Sequence, residues 1–357
     1  MAGEAYHPRA EPQSLGMSTH PYDTLTPDLI LDAVESTGLR CDGRLLALNS
    51  FENRVYQVGI EEAQPVVVKF YRPGRWSDAQ IAEEHDFARE LAQAELPVVA
   101  PLPPGDGSGE GGGEGSGEGR ALQAFGGFRF AVYPRQRGRA PELESQDTLT
   151  WMGRFIGRIH AIGALRPFVE RPALTIESFG EEPARFLPDS GFIPPDLAVA
   201  YRTLAEQLLA SIRACFARAG QTASIRLHGD CHPGNVLWAD DGPHFVDLDD
   251  ARMGPAVQDL WMLLSGDRES MARQLRWLLD GYWEFHEFEL RELQLVEALR
   301  TLRMMHYAGW LARRWDDPAF PAAFPWFNTQ RYWQDHILAL REQAAAMDEA
   351  PPAPAPV

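Results

Sequence analysis

Hydrophobic and polar positions alternate over the first third of the chain and then switch to a helical rhythm. The runs 55–60 (VYQVGI) and 66–71 (VVVKFY) are rich in β-branched and aromatic residues and flank a polar turn, which predicts two strands. In the second run Val66, Val68 and Phe70 share one face, and Val67, Lys69 and Tyr71 share the other. The segment SDAQIAEEHDFARELAQA follows, with Ile81, Ala88 and Leu91 at helical intervals. Ser77 and Gln80 have capping-box spacing, and Trp76 and Ile81 have staple spacing, so a helix is expected to start there. Residues 127–133 predict a further strand, ended by Pro134. Beyond it, residues 149–162, 196–219, 256–264, 270–288, 290–314 and 331–347 carry helical periodicity broken by Pro and Gly. The pattern predicts an α+β chain of two lobes. A small β-rich N-lobe spans 23–134, a connector lies near 133–140, and a larger, mainly helical C-lobe spans 135–347. The cleft between such lobes is a natural ligand site.

Three segments fall outside this pattern. Residues 1–22 are polar and Pro-containing and are expected to form a loose tail. Residues 348–357 end in a Pro/Ala run that cannot bury a core. Within the N-lobe, residues 104–120 (PGDGSGEGGGEGSGEGR) have the composition of a flexible linker. Its acidic residues precede its first Arg, which speaks against a phosphate cradle and for a solvated insertion.

Composition narrows the function classes. A net charge of −18 argues against nucleic-acid binding, whose affinity comes largely from clustered Lys and Arg. There is no apolar run long enough for a membrane span and no signal-like leader, so a cytoplasmic location is expected. Cys41, Cys215 and Cys231 have neither a CxxC nor a zinc spacing and read as free thiols. No long heptad is present, and a monomer is expected.

The chemistry concentrates in residues 227–250, LHGDCHPGNVLWADDGPHFVDLDD. Two short apolar runs, 236–238 and 244–246, flank an Asp-Gly turn signal and predict a β-hairpin. Asn235 precedes the first strand and Asp247 follows the second, so both belong to its open end. Asp230 lies in the loop that feeds that end. An amide oxygen and a carboxylate suit Mg2+, a hard ion that takes oxygen ligands. The remaining carboxylate, Asp230, suits a base that takes a hydroxyl proton. This set fits phosphoryl transfer, which depends on positioning and charge neutralisation. Each residue alone is an ordinary turn former; the ordered set is what points to chemistry. Lys69 stands inside an apolar strand, where an ammonium needs a partner or an anionic ligand. Glu83 and Glu84 follow on the next helix, and Glu84, in register with Ala88 and Leu91, is the expected partner. His160 reads as a packed core histidine, and His228 as a group that orients the Asp230 loop.

His228-Gly229-Asp230 followed by Asn235 keeps the D-x-x-x-x-N spacing of a kinase catalytic loop, and Asp247 in VDLDD stands where the DFG Asp would. The chain thereby resembles the aminoglycoside-phosphotransferase-like branch of kinases. NSFENRVYQV, VVVKFYRPGRW, EEHDFA, LHGDCHPGN, FVDLDDARMGPAVQDLWMLL and RRWDDPAFPAAFPWF resemble more closely the bacterial stress-response kinases within it, from about residue 23 to about residue 340. The resemblance implies a bilobal protein-kinase-like fold and an ATP- and Mg2+-dependent Ser/Thr protein kinase that also autophosphorylates and takes part in stress survival. It implies Asp230 as proton acceptor, Asn235 and Asp247 as the Mg2+ ligands, Asp247 also as a catalytic residue, and Ser50 in contact with ATP. There is no G-x-G-x-x-G between Leu48 and Val55, so Ser50, Asn53 and backbone N–H groups are expected to cover the phosphates, with Lys69 and Glu84 completing the nucleotide side. No A-P-E segment closes an activation loop either. The same motifs suit a small-molecule kinase acting on an aminoglycoside, choline or a homoserine-like alcohol. A metal-dependent phosphoesterase is disfavoured, because G-D-x-H lacks the companion D-x-H and G-N-H motifs. A pseudokinase scaffold is disfavoured by the intact Lys69, Asp230, Asn235 and Asp247.

Overall fold

The alternation around Lys69 sorts its strand's two faces into two different cores. A computed structural model describes residues 20–103 and 120–354. The first elements are α1 (Pro27–Glu35), β1 (Cys41–Ala47), β2 (Arg54–Ile60), β3 (Val66–Phe70), α2 (Asp78–Gln93), β4 (Gln123–Phe125) and β5 (Phe128–Pro134). The strands form one antiparallel sheet in the order β1-β2-β3-β5-β4. Val66, Val68 and Phe70 pack with Val58, Phe128, Phe130 and Val132 against Ile30, Ala33 and Val34 of α1. Val67 and Tyr71, on the opposite face, pack with Ala131, Tyr133 and Ile81 of α2. The sheet is thus held between two helices.

Each helix is fixed by its own start signal. Thr26 caps α1 by accepting from the Leu29 N–H, with Pro27 in the first turn. Ser77 and Gln80 form the expected capping box on α2, at 3.1 and 2.9 Å. Trp76 joins Ile81 in one apolar cluster, as the staple spacing predicts. Further along α2, Phe87, Ala88 and Leu91 leave the N-lobe and enter the core of the C-lobe. This helix therefore ties the lobes together.

The C-lobe comprises α3 (Gln146–Gly163), α4 (Glu182–Phe186), α5 (Pro195–Ala219), β6 (Ile225–Leu227), β7 (Val236–Ala239), β8 (Gly242–Phe245), β9 (Arg252–Gly254), α6 (Gln258–Trp261), α7 (Arg268–Tyr282), α8 (Val296–Arg313), α9 (Ala319–Ala323) and α10 (Gln330–Asp348). Among the described residues no helix is long and apolar enough to cross a membrane. Helices α3 and α7 meet at glycines: a Cβ on Gly281 would lie 2.0 Å from the Thr150 carbonyl oxygen. Replacing Gly281 with Ala is expected to cost about 1–3 kcal/mol, because neither backbone can move aside. A urea titration against the wild-type chain measures it.

Several expected boundaries differ. The helix expected over 256–264 is one turn at Gln258–Trp261, that over 270–288 stops at Tyr282, and that over 290–314 opens with a 3-10 segment, Leu290–Leu295. Val257, Leu263 and Leu264 are buried on either side of that one turn, and Phe288 and Leu293 in the connection to α8, so their spacing reports burial rather than helix. Residues 1–19, most of the expected N-terminal tail, and 104–119, nearly all of the expected insertion, lie outside the described residues. The tail's last residue, Tyr22, is in the N-lobe core, its hydroxyl donating to the Glu52 and Phe70 carbonyls. The N-lobe core thus takes in Tyr22. Among residues 350–354 of the expected C-terminal tail, Pro352 is buried.

Candidate active site

Strands β7 and β8 form the expected hairpin with a tighter turn, since Pro243 sits inside β8 opposite Trp238. The ribbon has only two strands, so a residue without an N–H is tolerated at its edge. At the open end the Val246 N–H donates to the Asn235 carbonyl at 3.0 Å. Asn235 and Asp247 are therefore brought to the same end, as the sequence predicts. Asp247 takes a left-handed conformation, φ 62° and ψ 62°, uncommon for a residue with a Cβ. Its carboxylate reaches across the cleft and accepts from Lys69 Nζ at 2.6 Å. The Asp247 side chain stays half exposed, at 50%.

The loop carrying Asp230 is clamped from behind. Asp259, at the start of α6, accepts the His228 N–H at 2.8 Å and the Gly229 N–H at 2.9 Å. His160 stands beside it, with Nε2 3.2 Å from Asp259 and Nδ1 2.9 Å from the Tyr282 hydroxyl. His160 is fully buried and its ring is satisfied, the core role expected of it. His228 Nε2 lies 3.0 Å from the Val246 carbonyl oxygen, and Nδ1 is 3.4 Å from the Asp230 N–H. It links the Asp230 loop to the strand that ends at Asp247, the orienting role expected of it. Gly229 has φ +85°, and a Cβ there would lie 2.2 Å from the Asp250 carbonyl oxygen. That close approach explains why this kinase-like loop carries Gly at this position.

Asp230 itself is gripped by groups from two elements. Arg303 of α8 donates to Oδ1, and His232 Nε2 lies 3.5 Å from Oδ2. Burial works to raise the Asp230 carboxyl, but the His232 hydrogen bond and the Arg303 charge outweigh it and hold it below its ordinary value. The Asn235 side-chain amide donates to the Asp230 carbonyl at 3.0 Å. That bond commits the Asn235 Nδ2, so Oδ1 is the side-chain atom that could take a cation.

Lys69 and Glu84 do not pair as expected. Lys69 makes its ion pair with Asp247, and its ammonium lies 5.7 Å from the centroids of both the Tyr71 and Tyr133 rings. Burial alone would lower Lys69; Asp247, joined by Tyr133, Asp249 and Glu84, outweighs it and holds the ammonium well above its ordinary value. Glu84 is 2% exposed, and its nearest ionisable contact is His85 at 3.7 Å. Burial pulls His85 down to about 3, so it offers no positive charge at neutral pH. Burial pushes Glu84 up to about 7, with Lys69 acting in the opposite direction. The left-handed turn at Asp247 decides the competition, because it places a second carboxylate closer to the ammonium.

The loop between β1 and β2 also differs from expectation. Ser50 Oγ donates to the Asn53 carbonyl at 3.0 Å and fastens the turn. Asn53 is buried, and both ends of its amide are committed: Nδ2 to Asp249 at 3.1 Å and Oδ1 to the Arg72 N–H at 3.1 Å. In this conformation Asn53 is a strut between the lobes, its amide held by Asp249 and the Arg72 N–H. Arg75, after β3, ion-pairs with both Asp249 and Asp250. Asp249 thus faces the Arg75–Asn53 clasp. Cys231, beside Asp230, is buried, and burial pushes its thiol well up, as befits a bystander.

Sequence reasoning missed Asp259 and Arg303. Asp259 had a signal, a carboxylate inside the apolar run AVQDLWMLL, where burial demands partners. Arg303 had none, because its contact with Asp230 spans 73 residues.

This constellation fits what comparisons with known proteins find. Residues 44–296 match the phosphotransferase enzyme family. The chain belongs to that family. This phosphotransferase is 43% identical over 334 residues to the stress response kinase A of Escherichia coli (strain K12), covering 94% of this chain and 97% of the relative. It is 43% identical over 330 residues to the serine/threonine protein kinase RdoA of Salmonella typhimurium, covering 92% and 96%. Among solved structures it is similar to an amicoumacin kinase in complex with AMP-PNP, Ca2+ and Ami, with TM-score 0.67, 18% identity, and 92% and 95% of the chains covered. The kinase-like bilobal fold expected from the sequence is thereby borne out: a five-stranded antiparallel sheet over a helical lobe.

Proposed function

We propose that this phosphotransferase is a Mg2+-dependent Ser/Thr protein kinase that moves the γ-phosphate of ATP to protein hydroxyls, its own included. The reading rests chiefly on the arrangement of two carboxylates: Asp230, on a loop held by Asp259 and His228, and Asp247, which meets Lys69 across the cleft. Full-length similarity to a serine/threonine protein kinase supports the acceptor type, and similarity to stress response kinases supports a role in surviving stress. Such a role suits a cytoplasmic protein.

In this reading Asp230 takes the proton of the acceptor hydroxyl and orients its oxygen. Lys69, held cationic, binds phosphate oxygens from the sheet side, and Ser50 meets the nucleotide at the turn before β2. The donor set fits Mg2+: Asn235 Oδ1 is left unengaged by the Nδ2 bond to Asp230, and Asp247 is half exposed with Oδ1 on Lys69. When bound, Mg2+ would supply charge neutralisation of the phosphates. Glu84, buried behind Lys69, is the carboxylate to which Lys69 would turn when Asp247 is engaged elsewhere.

A small-molecule acceptor is the second reading, favoured by the similarity in fold to an amicoumacin kinase. Incubation with γ-labelled ATP, Mg2+ and a protein acceptor, followed by acid hydrolysis, separates the two. Labelled phosphoserine or phosphothreonine is expected. Label confined to an added amino alcohol, with none on protein, would overturn the protein-kinase reading.

A further inference from the structure

A pocket of about 280 Å3 opens beside the Asp230 loop, with His232, Trp261, Ser265, Met271, Arg300 and Arg303 among its walls. Among the described residues no Asp or Glu lines it, although the chain carries a net charge of −18. A cavity walled by two guanidiniums and an imidazole is out of character for so acidic a protein. Arg300 and Arg303 lie three residues apart on α8, so both point to the same side of the helix. Each is held in place while keeping donors to spare. The Arg300 guanidinium lies 5.5 Å from the Trp261 ring centroid, its Nη1 on Glu297 at 3.2 Å and its Nη2 3.8 Å from Met271 Sδ, a weak acceptor. Arg303 gives Nη1 to Asp230 Oδ1, and its side chain remains 38% exposed. Both oxygens of Asp230 are thereby engaged, Oδ1 by Arg303 and Oδ2 beside His232.

We infer that the acceptor carries a carboxylate close to the hydroxyl that is phosphorylated, and that Arg300 and Arg303 take that carboxylate in this pocket. The inference rests on the kinase reading and names the surroundings of its acceptor. A planar guanidinium matches a carboxylate through two parallel hydrogen bonds, which a lone hydroxyl cannot reproduce. A carboxylate that takes the Arg303 fork through both Nη1 and Nη2 competes with Asp230 for Nη1 and frees Oδ1. The acceptor oxygen then bonds to the γ-phosphorus, the bond to the bridging oxygen of ADP breaks, and the hydroxyl proton passes to Asp230. An acceptor without the carboxylate leaves Arg303 on the base. Arg303 is therefore both a specificity residue and a latch.

Two synthetic peptides test this with the full chain and MgATP: a serine flanked by alanines, and the same peptide with aspartates on either side. Wild type is expected to favour the acidic peptide in kcat/KM by about tenfold or more, the worth of one charge-assisted contact. Arg300→Gln and Arg303→Gln, both surface-accessible changes, are each expected to remove most of that preference. A merely structural role would slow both peptides alike. Equal use of both peptides by wild type, or a preference intact in both variants, overturns the carboxylate acceptor and leaves the kinase reading standing. Use of neither peptide, with an amino alcohol phosphorylated instead, overturns both.

Discussion

Replacing Asp230 with Asn is expected to lower the rate of phosphoryl transfer by about 10²–10⁴-fold, the usual contribution of a general base. Affinity for ATP is expected to change little, because Asp230 is held by Arg303 and His232, whereas Lys69 is met by Asp247. The substitution keeps the shape of the side chain and removes its charge. The loop itself hangs on the His228 and Gly229 N–H groups bonded to Asp259, which the change does not touch. Single-turnover kinetics with titration calorimetry for the nucleotide measure both halves of the claim. Turnover at the wild-type rate would sink the assignment of Asp230 as base.

The largest loss of stability is expected at Asp317, between α8 and α9. Its buried carboxylate accepts from Arg54 of β2 at 3.0 and 3.1 Å and from Arg72 after β3, and it lies 2.7 Å from His20 Nε2. One C-lobe carboxylate thus anchors two N-lobe guanidiniums and an imidazole. Asp317→Ala takes the carboxylate from the part-buried Arg54 and leaves the buried Arg72 paired with Glu52, which points to a cost of about 3 kcal/mol, the low end for breaking a buried ion pair. Burial works to raise the Asp317 carboxyl, but the Ala319 N–H, His20, Arg54 and Arg72 together hold it below its ordinary value. A depressed folded value means the stabilisation is fully present above the unfolded value of about 3.9 and fades as pH falls through the folded value. The gap in unfolding free energy between wild type and variant is therefore expected to be constant near neutrality and to narrow below about pH 4. Denaturant titrations at pH 7 and in acid check this. A variant as stable as wild type at pH 7 would refute the anchor.

Local rules were legible wherever a residue's neighbours in sequence are also its neighbours in space. The two faces of β3, the capping box at Ser77 and the β7–β8 hairpin all follow from spacing of a few residues. The hairpin then carried Asn235 and Asp247 to one end without further information. His160 and His228 were legible for the same reason, one from an apolar helix and the other from its place beside Asp230. By contrast, β6 and β9 are three residues each and pair only across the chain, so no period marks them. Periodicity also overran α7, since buried turns repeat apolar residues as helices do.

The partner of Lys69 shows where local reasoning stops. Helical register correctly turned Glu84 inward, and burial at 2% agrees. It could not reveal that the backbone at Asp247 turns left-handed and delivers a carboxylate to the same ammonium from 178 residues away. Asn53 is a similar case, its amide tied to Asp249 across 196 residues.

By itself the sequence determined the lobes, the order of the chemical groups and the loop that carries them, because these depend on short-range geometry and on which residue types chemistry accepts. Only the tertiary structure decided which charges meet: Lys69 with Asp247, Arg303 with Asp230, and Asp317 with Arg54 and Arg72. Electrostatic pairing depends on distance through space and on burial, and neither is written in the spacing of residues along a chain.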